Sequence, residues 1–257
     1  MGKRLFRIAV FAMALGLALA APATANEMVV PERCRVPDRL IEDLATFPNA
    51  AQRLATEHRM TIVAIGASST EGMGASSPAM AWPARLGDIL AGRLSGVEVQ
   101  IVNLGQRRQT ARMILDRLRR DIAPLHPSMV IWETGTVEAV RAEDPAEFGN
   151  ILMRGAETVA ALHADLILMD PQYARDTARV INFQPYVDAV RQTAGLPDVN
   201  LFPRHDIMRY WSEEDRLTPR TRDEMIRGND EIYDCVAQLL ADVIDRGLRQ
   251  AAHAQRR

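Results

Sequence analysis

The most constraining feature of this chain is the regular alternation of short apolar segments with longer amphipathic ones. Short runs rich in β-branched residues predict buried strands, here over 61–65, 97–104, 127–134, 165–170 and 199–202. Apolar residues at helical spacing predict helices over 40–58, 79–94, 110–122, 148–163, 182–193 and 232–248, and one helical turn at 207–211. Strands that alternate with helices in this way form a parallel sheet with helices on both faces. The sequence therefore predicts one α/β domain with a five-stranded parallel sheet.

The first 25 residues are predicted to be a cleaved secretory signal peptide. Lys3, Arg4 and Arg7 precede an apolar run, and Ala23-Thr24-Ala25 provides a small-x-small cleavage site. The alternative is a membrane anchor, but the run is short for a bilayer span of about 20 residues. We therefore expect a single domain over residues 26–257 in a periplasmic or secreted protein, with no stable membrane anchor after cleavage.

The charge balance does not favour nucleic acid as a partner. The chain has 31 Lys and Arg against 33 Asp and Glu, and loss of the three basic signal residues leaves 31 − 3 = 28 against 33. The mature net charge is then near −5 by the same count. The basic residues in 249–257 are typical of a solvated, frayed terminus.

The only two cysteines are predicted to form a disulfide. Export would place Cys34 and Cys235 in an oxidising compartment, where a bridge would connect the start of the mature domain to its last helix. Two separately buried thiols are the alternative, and the spacing does not suit a metal site. We expect no metal and no cofactor.

The segment Gly66-Ala67-Ser68 follows the first predicted strand. A serine at the carboxyl end of a strand and beside a helix N-terminus has an exposed hydroxyl, with backbone N–H groups nearby for a developing oxyanion. This is also the edge at which α/β sheets place their chemistry. The segment resembles the first block of the SGNH (GDSL-type) hydrolases, in which Gly-Asp-Ser follows the first strand. Ser68 matches the nucleophile of that family, and Ala67 stands in place of the aspartate.

Two further blocks extend the resemblance. Asn103-Leu104-Gly105 matches the second block, which implies that the Gly105 N–H is an oxyanion donor together with the Ser68 N–H. Arg108 stands where the family often has another glycine. Gly135-Thr136 matches the third block, but Val137 replaces its oxyanion asparagine and cannot donate a hydrogen bond. Loss of one such donor typically costs about 10²–10³ in rate.

The last block departs most from the family. Asn229-Asp230 and Tyr233 preserve the residues that follow the catalytic Asp-x-x-His pair, so the pair itself falls on Glu224 and Arg227. A guanidinium does not deprotonate in proteins, so Arg227 cannot act as a base.

His205 is the alternative candidate for the general base. It is the only histidine that follows a predicted strand, the fifth, and Asp206 or Glu224 could orient it. The other interpretation is a surface or half-buried histidine beside Tyr210 and Trp211. At the same edge, Gln172 after the fourth strand and Thr136 after the third are predicted to line the substrate pocket.

The resemblance implies a flavodoxin-like three-layer α/β/α sandwich and metal-free ester hydrolysis or acyl transfer. We therefore expect an exported serine esterase or acyltransferase-like hydrolase acting on a small acyl ester, such as an acetylated glycan or a lipid. The alternative is a catalytically impaired protein of the same fold that binds a glycan or another component of the cell envelope. Retention of Ser68 and Gly105 favours the enzyme, whereas Val137 and Arg227 favour the alternative.

Overall fold

The computed structural model describes residues 30–41, 46–217 and 222–255, with side chains from residue 228 onward in the last range. The predicted signal peptide, residues 1–25, lies outside the described residues. Five parallel strands form the sheet: β1 Arg59–Ile65, β2 Glu98–Asn103, β3 Met129–Glu133, β4 Asp165–Met169 and β5 Val199–Phe202. The α-helices are α1 Pro48–Glu57, α2 Ser68–Glu71, α3 Trp82–Arg93, α4 Ala111–Arg117, α5 Thr136–Arg141, α6 Pro145–Ala160, α7 Gln184–Ala194, α8 Arg204–Glu213 and α9 Arg222–Ala254.

The strand order is β2-β1-β3-β4-β5, so the direction of chain progression reverses between β1 and β3. This is the flavodoxin-like order, in which ligands bind outside the carboxyl ends of the strands at the reversal point. All five predicted strands are present, and the predicted fold class is confirmed.

Alternate residues of β1 enter two different cores. Met60 and Ile62 pack on one side with α1, α3 and α9, whereas Val63 and Ile65 pack on the other with α4, α6 and α7. Side chains of successive strand residues point to opposite faces, so a strand that is apolar throughout is covered on both sides. The result is the predicted three-layer sandwich.

Several helix predictions were wrong in extent. The turn predicted at 207–211 is the ten-residue helix α8, and the final helix begins at Arg222 rather than Ile232. In residues 222–231 the apolar residues Met225 and Ile226 are adjacent and no others follow at helical spacing, so this part of α9 has no apolar stripe by which to recognise a helix. The short helices α2 and α5 were missed because four to six residues cannot display helical periodicity.

The predicted disulfide is confirmed. Cys34 and Cys235 are fully buried and bonded, with their Cα atoms 4.9 Å apart. The adjacent Asp234 accepts hydrogen bonds from Arg33 at 2.9 Å and from Arg85 at 2.7 Å. The N-terminal segment, α3 and α9 are therefore joined at one point.

The described residues show neither a membrane-spanning helix nor a cluster of metal ligands. None of their helices is both long and apolar enough to cross a bilayer. No group of three or more His, Cys, Asp or Glu side chains within them is arranged to hold a metal ion.

Candidate active site

Ser68 lies just after the carboxyl end of β1, where the strand order reverses between β1 and β3. β1 ends at Ile65, and the chain turns through Gly66 and Ala67 into α2, of which Ser68 is the first residue. Ser68 is half-buried. A Cβ on Gly66 would lie 2.3 Å from Thr70 Oγ1 and 2.8 Å from Glu133 Cβ. Only glycine therefore allows α2 and the end of β3 to approach this closely.

Glu133 fixes the turn around Ser68 from the neighbouring strand. It is the last residue of β3 and is 2% exposed. Its Oε2 accepts hydrogen bonds from Thr70 Oγ1 at 2.7 Å and from the Ala67 N–H at 3.3 Å. Burial alone would raise the pKa of Glu133, but the Arg204 guanidinium and the nearby hydroxyls hold that pKa below its ordinary value. The carboxylate is therefore charged while it binds α2.

Arg204 completes this network from the opposite side. It is the first residue of α8 and is 2% exposed. One guanidinium nitrogen donates to Glu133 Oε1 at 3.0 Å and another to Ser69 Oγ at 2.9 Å, while Nε donates to the Asp170 carbonyl at 3.2 Å. The Glu133–Arg204 pair thus holds the residues on both sides of Ser68.

Sequence reasoning missed this pair, although two signals for it were present. Glu133 is a charged residue at the end of an apolar strand, and only Pro203 separates Arg204 from the fifth strand. Buried charges are almost always paired, so two opposite charges at one edge of the sheet indicate an ion pair between them.

Gly105 lies on the same edge as Ser68, as predicted. The Gln106 N–H donates to the Gly66 carbonyl at 3.0 Å, and a Cβ on Gly105 would lie 2.3 Å from the Glu71 nitrogen. Its own N–H donates to Asn103 Oδ1 at 2.9 Å. To bind an oxyanion, that N–H must release Asn103, so the donor role of Gly105 stays a prediction.

Thr136 and Gln172 also meet at this edge. The Gln172 N–H donates to Thr136 Oγ1 at 3.3 Å, and Thr136 begins α5. The Gly135 N–H donates to Glu138 Oε2 at 3.0 Å, which caps the helix. Val137 is half-buried in its first turn. The two residues predicted to line a pocket are therefore neighbours, while their substrate role stays a prediction.

His205 is buried beside the end of β4. It is 7% exposed, and its backbone N–H donates to Asp170 Oδ1 at 2.7 Å. The ring packs edge-on against Tyr173, with ring centroids 5.4 Å apart. Its Nδ1 lies 3.6 Å from Asp206 Oδ1, beyond hydrogen-bond distance.

The structure does not join His205 to Ser68. Among the hydrogen bonds of the described side chains, none links the His205 ring to the Ser68 hydroxyl. The base role of His205 stays a prediction. The side chains of Glu224 and Arg227, the positions of the family's catalytic pair, lie outside the described residues.

The residues that match the family pattern after that pair hold the segment that follows α2. Tyr233 Oη donates to the Met73 carbonyl at 2.6 Å, Asn229 Nδ2 donates to the Gly74 carbonyl at 3.2 Å, and Asp230 Oδ1 accepts from the Ser76 N–H at 2.8 Å. These side chains attach α9 to residues 73–76. They serve the geometry around Ser68 whatever occupies positions 224 and 227.

Comparison with protein families supports the resemblance seen in the sequence. The model of the Non-GDSL lipase-like family matches residues 33–250. A search of the curated proteins found no match.

Solved structures share the fold at low identity. TesA superposes with a TM-score of 0.57 at 19% identity, over 72% of this chain and 99% of its own. The lipase/acylhydrolase from Enterococcus faecalis gives 0.58 at 19%, over 73% and 96%. An acetyl-xylooligosaccharide esterase from Geobacillus Stearmophilus, solved as a mutant, gives 0.52 at 18%, over 68% and 94%. At these identities the likeness establishes the fold alone.

Proposed function

Because the chain belongs to the Non-GDSL lipase-like family of SGNH/GDSL-type hydrolases, we propose that it is a carboxylic-ester hydrolase with Ser68 as its nucleophile. The observation that carries this proposal is the position of Ser68 at the carboxyl end of β1, at the reversal point of the sheet. The turn around it is fixed by the buried Glu133–Arg204 pair. A fixed nucleophile at the ligand-binding edge is what acyl transfer requires.

The proposed reaction has two steps. Ser68 Oγ bonds to the acyl carbon, the ester C–O bond breaks, and the serine proton passes through a base to the oxygen of the leaving alcohol. Water then attacks the acyl-enzyme, which regenerates Ser68 and releases the carboxylic acid. Backbone N–H groups of Ser68 and Gly105 are the proposed oxyanion donors.

His205 is the proposed base, because it is the only histidine that follows a strand. The other four either precede strands or lie near the C-terminus. Asp206 Oδ1 lies 3.6 Å from the ring Nδ1, so a small movement of the ring would allow Asp206 to orient it. Since His205 is not hydrogen-bonded to Ser68 here, we expect low turnover that decreases in acid, where a protonated ring cannot accept a proton.

The proposed substrate is a small acyl ester that the protein meets after export. The predicted signal and the Cys34–Cys235 disulfide both suit an oxidising compartment. A protein of similar fold, from Geobacillus Stearmophilus, is an acetyl-xylooligosaccharide esterase, which supports an acylated glycan as the substrate class.

A second candidate function is binding without catalysis. Two observations favour it: Val137 offers no side-chain donor, and the Gly105 N–H is already bound to Asn103. In that case the same edge of the sheet binds an acylated glycan without cleaving it.

Turnover of p-nitrophenyl acetate, butyrate and octanoate by the purified protein tests the proposal. We expect slow hydrolysis that Ser68→Ala and His205→Gln both abolish, and that Ser95→Ala retains, because Ser95 is exposed in the loop between α3 and β2. Hydrolysis that persists in Ser68→Ala rules out Ser68 as the nucleophile. Loss in Ser68→Ala but not in His205→Gln overturns the base assignment alone. No turnover of any ester by wild-type protein favours the binding protein.

A further inference from the structure

A cavity of about 420 Å³ opens at the carboxyl edge of the sheet, beside the end of β4 and the start of α8. Its size falls in the range of small-molecule sites, about 300–1,000 Å³. The segment 178–184 forms one wall, and the α8 residues His205 and Arg209 contribute to the other. Ser68 does not line this cavity.

Aromatic rings form part of the wall. Tyr173, Phe183 and His205 all line the cavity, and their rings pack on one another, with His205 at 5.4 Å from Tyr173 and 6.2 Å from Phe183. The side chain of His205 is 9% exposed, and its Nδ1 has no hydrogen-bond partner. An aromatic wall with a few polar groups is typical of a binding site for a small organic molecule.

The charged groups of the lining are all positive. Arg179 and Arg209 line the cavity, and no Asp or Glu does. Their nearest carboxylates are at 3.6 Å for Arg179, from Asp176, and at 3.4 Å for Arg209, from Asp206. These contacts are ion pairs, and Arg209 forms a second one with Glu213 at 3.9 Å. None of the three has hydrogen-bond geometry, and a guanidinium has five N–H donors, so each arginine still has donors for a ligand. The amides of Asn182 and Gln184 provide further polar groups.

We propose that this cavity binds a carbohydrate that bears a carboxylate, such as a uronic acid residue. The arginines would pair with the carboxylate, for which a guanidinium has matching planar geometry. The aromatic rings would contact the sugar ring, and the side-chain amides would bind its hydroxyls. This inference takes one element from the proposed function, namely that the bound carbohydrate is the substrate that carries the ester. Binding itself does not require a reactive Ser68.

Direct binding to the full protein carrying Ser68→Ala tests this inference without catalysis. Isothermal titration with D-glucuronate, D-glucose and inorganic phosphate is the measurement. We expect glucuronate to bind at least about tenfold more tightly than glucose or phosphate, because only glucuronate offers both charge and ring. Arg209→Gln should weaken glucuronate binding about tenfold or more, as loss of a charge-assisted hydrogen bond does. Arg179→Gln should act in the same direction, and Arg39→Gln, an exposed arginine outside the cavity, should have no effect.

Each other outcome overturns the inference. Phosphate binding as tightly as glucuronate would mean a general anion site, and glucose binding equally would remove the role of the arginines. Glucuronate affinity unchanged in both Arg209→Gln and Arg179→Gln would place the site elsewhere. If glucuronate does not bind, the cavity is not a site for acidic sugars. The proposed function is unaffected by that result, because hydrolysis of neutral esters by the wild-type protein tests it separately.

Discussion

At the scale of single residues, the Glu133–Arg204 pair explains how Ser68 is held. Both side chains are 2–3% exposed, and together they bind Ala67, Ser69 and Thr70 on either side of it. A buried ion pair need not add net stability, but removal of one partner leaves an uncompensated charge. The pair is therefore a strict requirement of this site.

Glu133→Gln should lower the free energy of unfolding by about 3–5 kcal/mol, since Arg204 then remains buried without its counter-ion. Glu98→Gln is the matched control, because it breaks an Arg59–Glu98 pair of 2.9 Å whose side chains are 55% and 64% exposed. That change should cost less than about 1 kcal/mol. Urea denaturation of both variants measures the difference. Equal losses would contradict the assigned role of Glu133.

Asp170 provides a residue-scale prediction about pH. Its burial raises the pKa from 3.8 to about 7, so the folded chain retains a proton that the unfolded chain releases near pH 4. Between these values the folded state binds more protons, and stability falls as pH rises. Asp170→Asn keeps an acceptor for the His205 N–H but does not titrate.

The unfolding free energy of wild-type protein relative to Asp170→Asn should therefore fall between pH 4 and 7, by at most about 4 kcal/mol. Denaturant titrations at several pH values measure this difference, with exposed Asp116→Asn as the control. A difference that is constant across this range would mean that Asp170 is ionised in the fold.

At the scale of elements, α9 stabilises the segment that follows Ser68. Tyr233 binds the Met73 carbonyl, and Asn229 and Asp230 bind two further backbone groups of residues 73–76. These contacts give a structural reason for the family-like residues after positions 224 and 227. Backbone groups held by side chains in this way would otherwise bind water and leave the segment less ordered.

Tyr233→Phe should destabilise the protein by about 1 kcal/mol through loss of the 2.6 Å hydrogen bond to Met73. It should also increase amide hydrogen exchange in residues 73–76. Tyr210→Phe, in α8, is the control and should change neither quantity. Unchanged exchange at 73–76 in Tyr233→Phe would show that α9 does not order this segment.

The strands were predictable from the sequence because each is a short apolar run between turns. Most residues of β1 are apolar because both faces of this strand are buried. The position of Ser68 at the carboxyl edge of the sheet was predictable for the same reason, since the segment Gly66-Ala67-Ser68 follows that run. The Glu133–Arg204 pair was missed: the two charges beside strand ends were visible in the sequence, but the contact itself joins residues 71 positions apart and depends on tertiary packing. The bond between the Gly105 N–H and Asn103 was equally inaccessible, because it depends on the conformation of one loop.

At the scale of the whole molecule, one covalent bond joins the two ends of the domain. Cys34 and Cys235 are separated by 201 residues, and α9 carries both Cys235 and the residues that hold 73–76. A cross-link over so long a loop mainly restricts the unfolded chain. It therefore bears on the stability of the complete fold.

Reduction of the disulfide should lower the free energy of unfolding by about 2–5 kcal/mol. Urea denaturation with and without dithiothreitol measures the change. A Cys34→Ser/Cys235→Ser double variant is the control, because its stability should be reduced already and should not respond to reductant. Equal stability of oxidised and reduced wild-type protein would show that the bridge does not stabilise the fold.

The central claim is that Ser68 is a reactive nucleophile in the folded protein. Labelling with a fluorophosphonate, followed by intact mass and peptide mapping, tests it most directly, since such probes phosphonylate activated serines. We predict one probe per chain on Ser68, unchanged in Ser95→Ala and absent from Ser68→Ala. A wild-type protein that stays unlabelled under conditions that label a serine esterase, or that carries the probe on another serine such as Ser69, would contradict the claim.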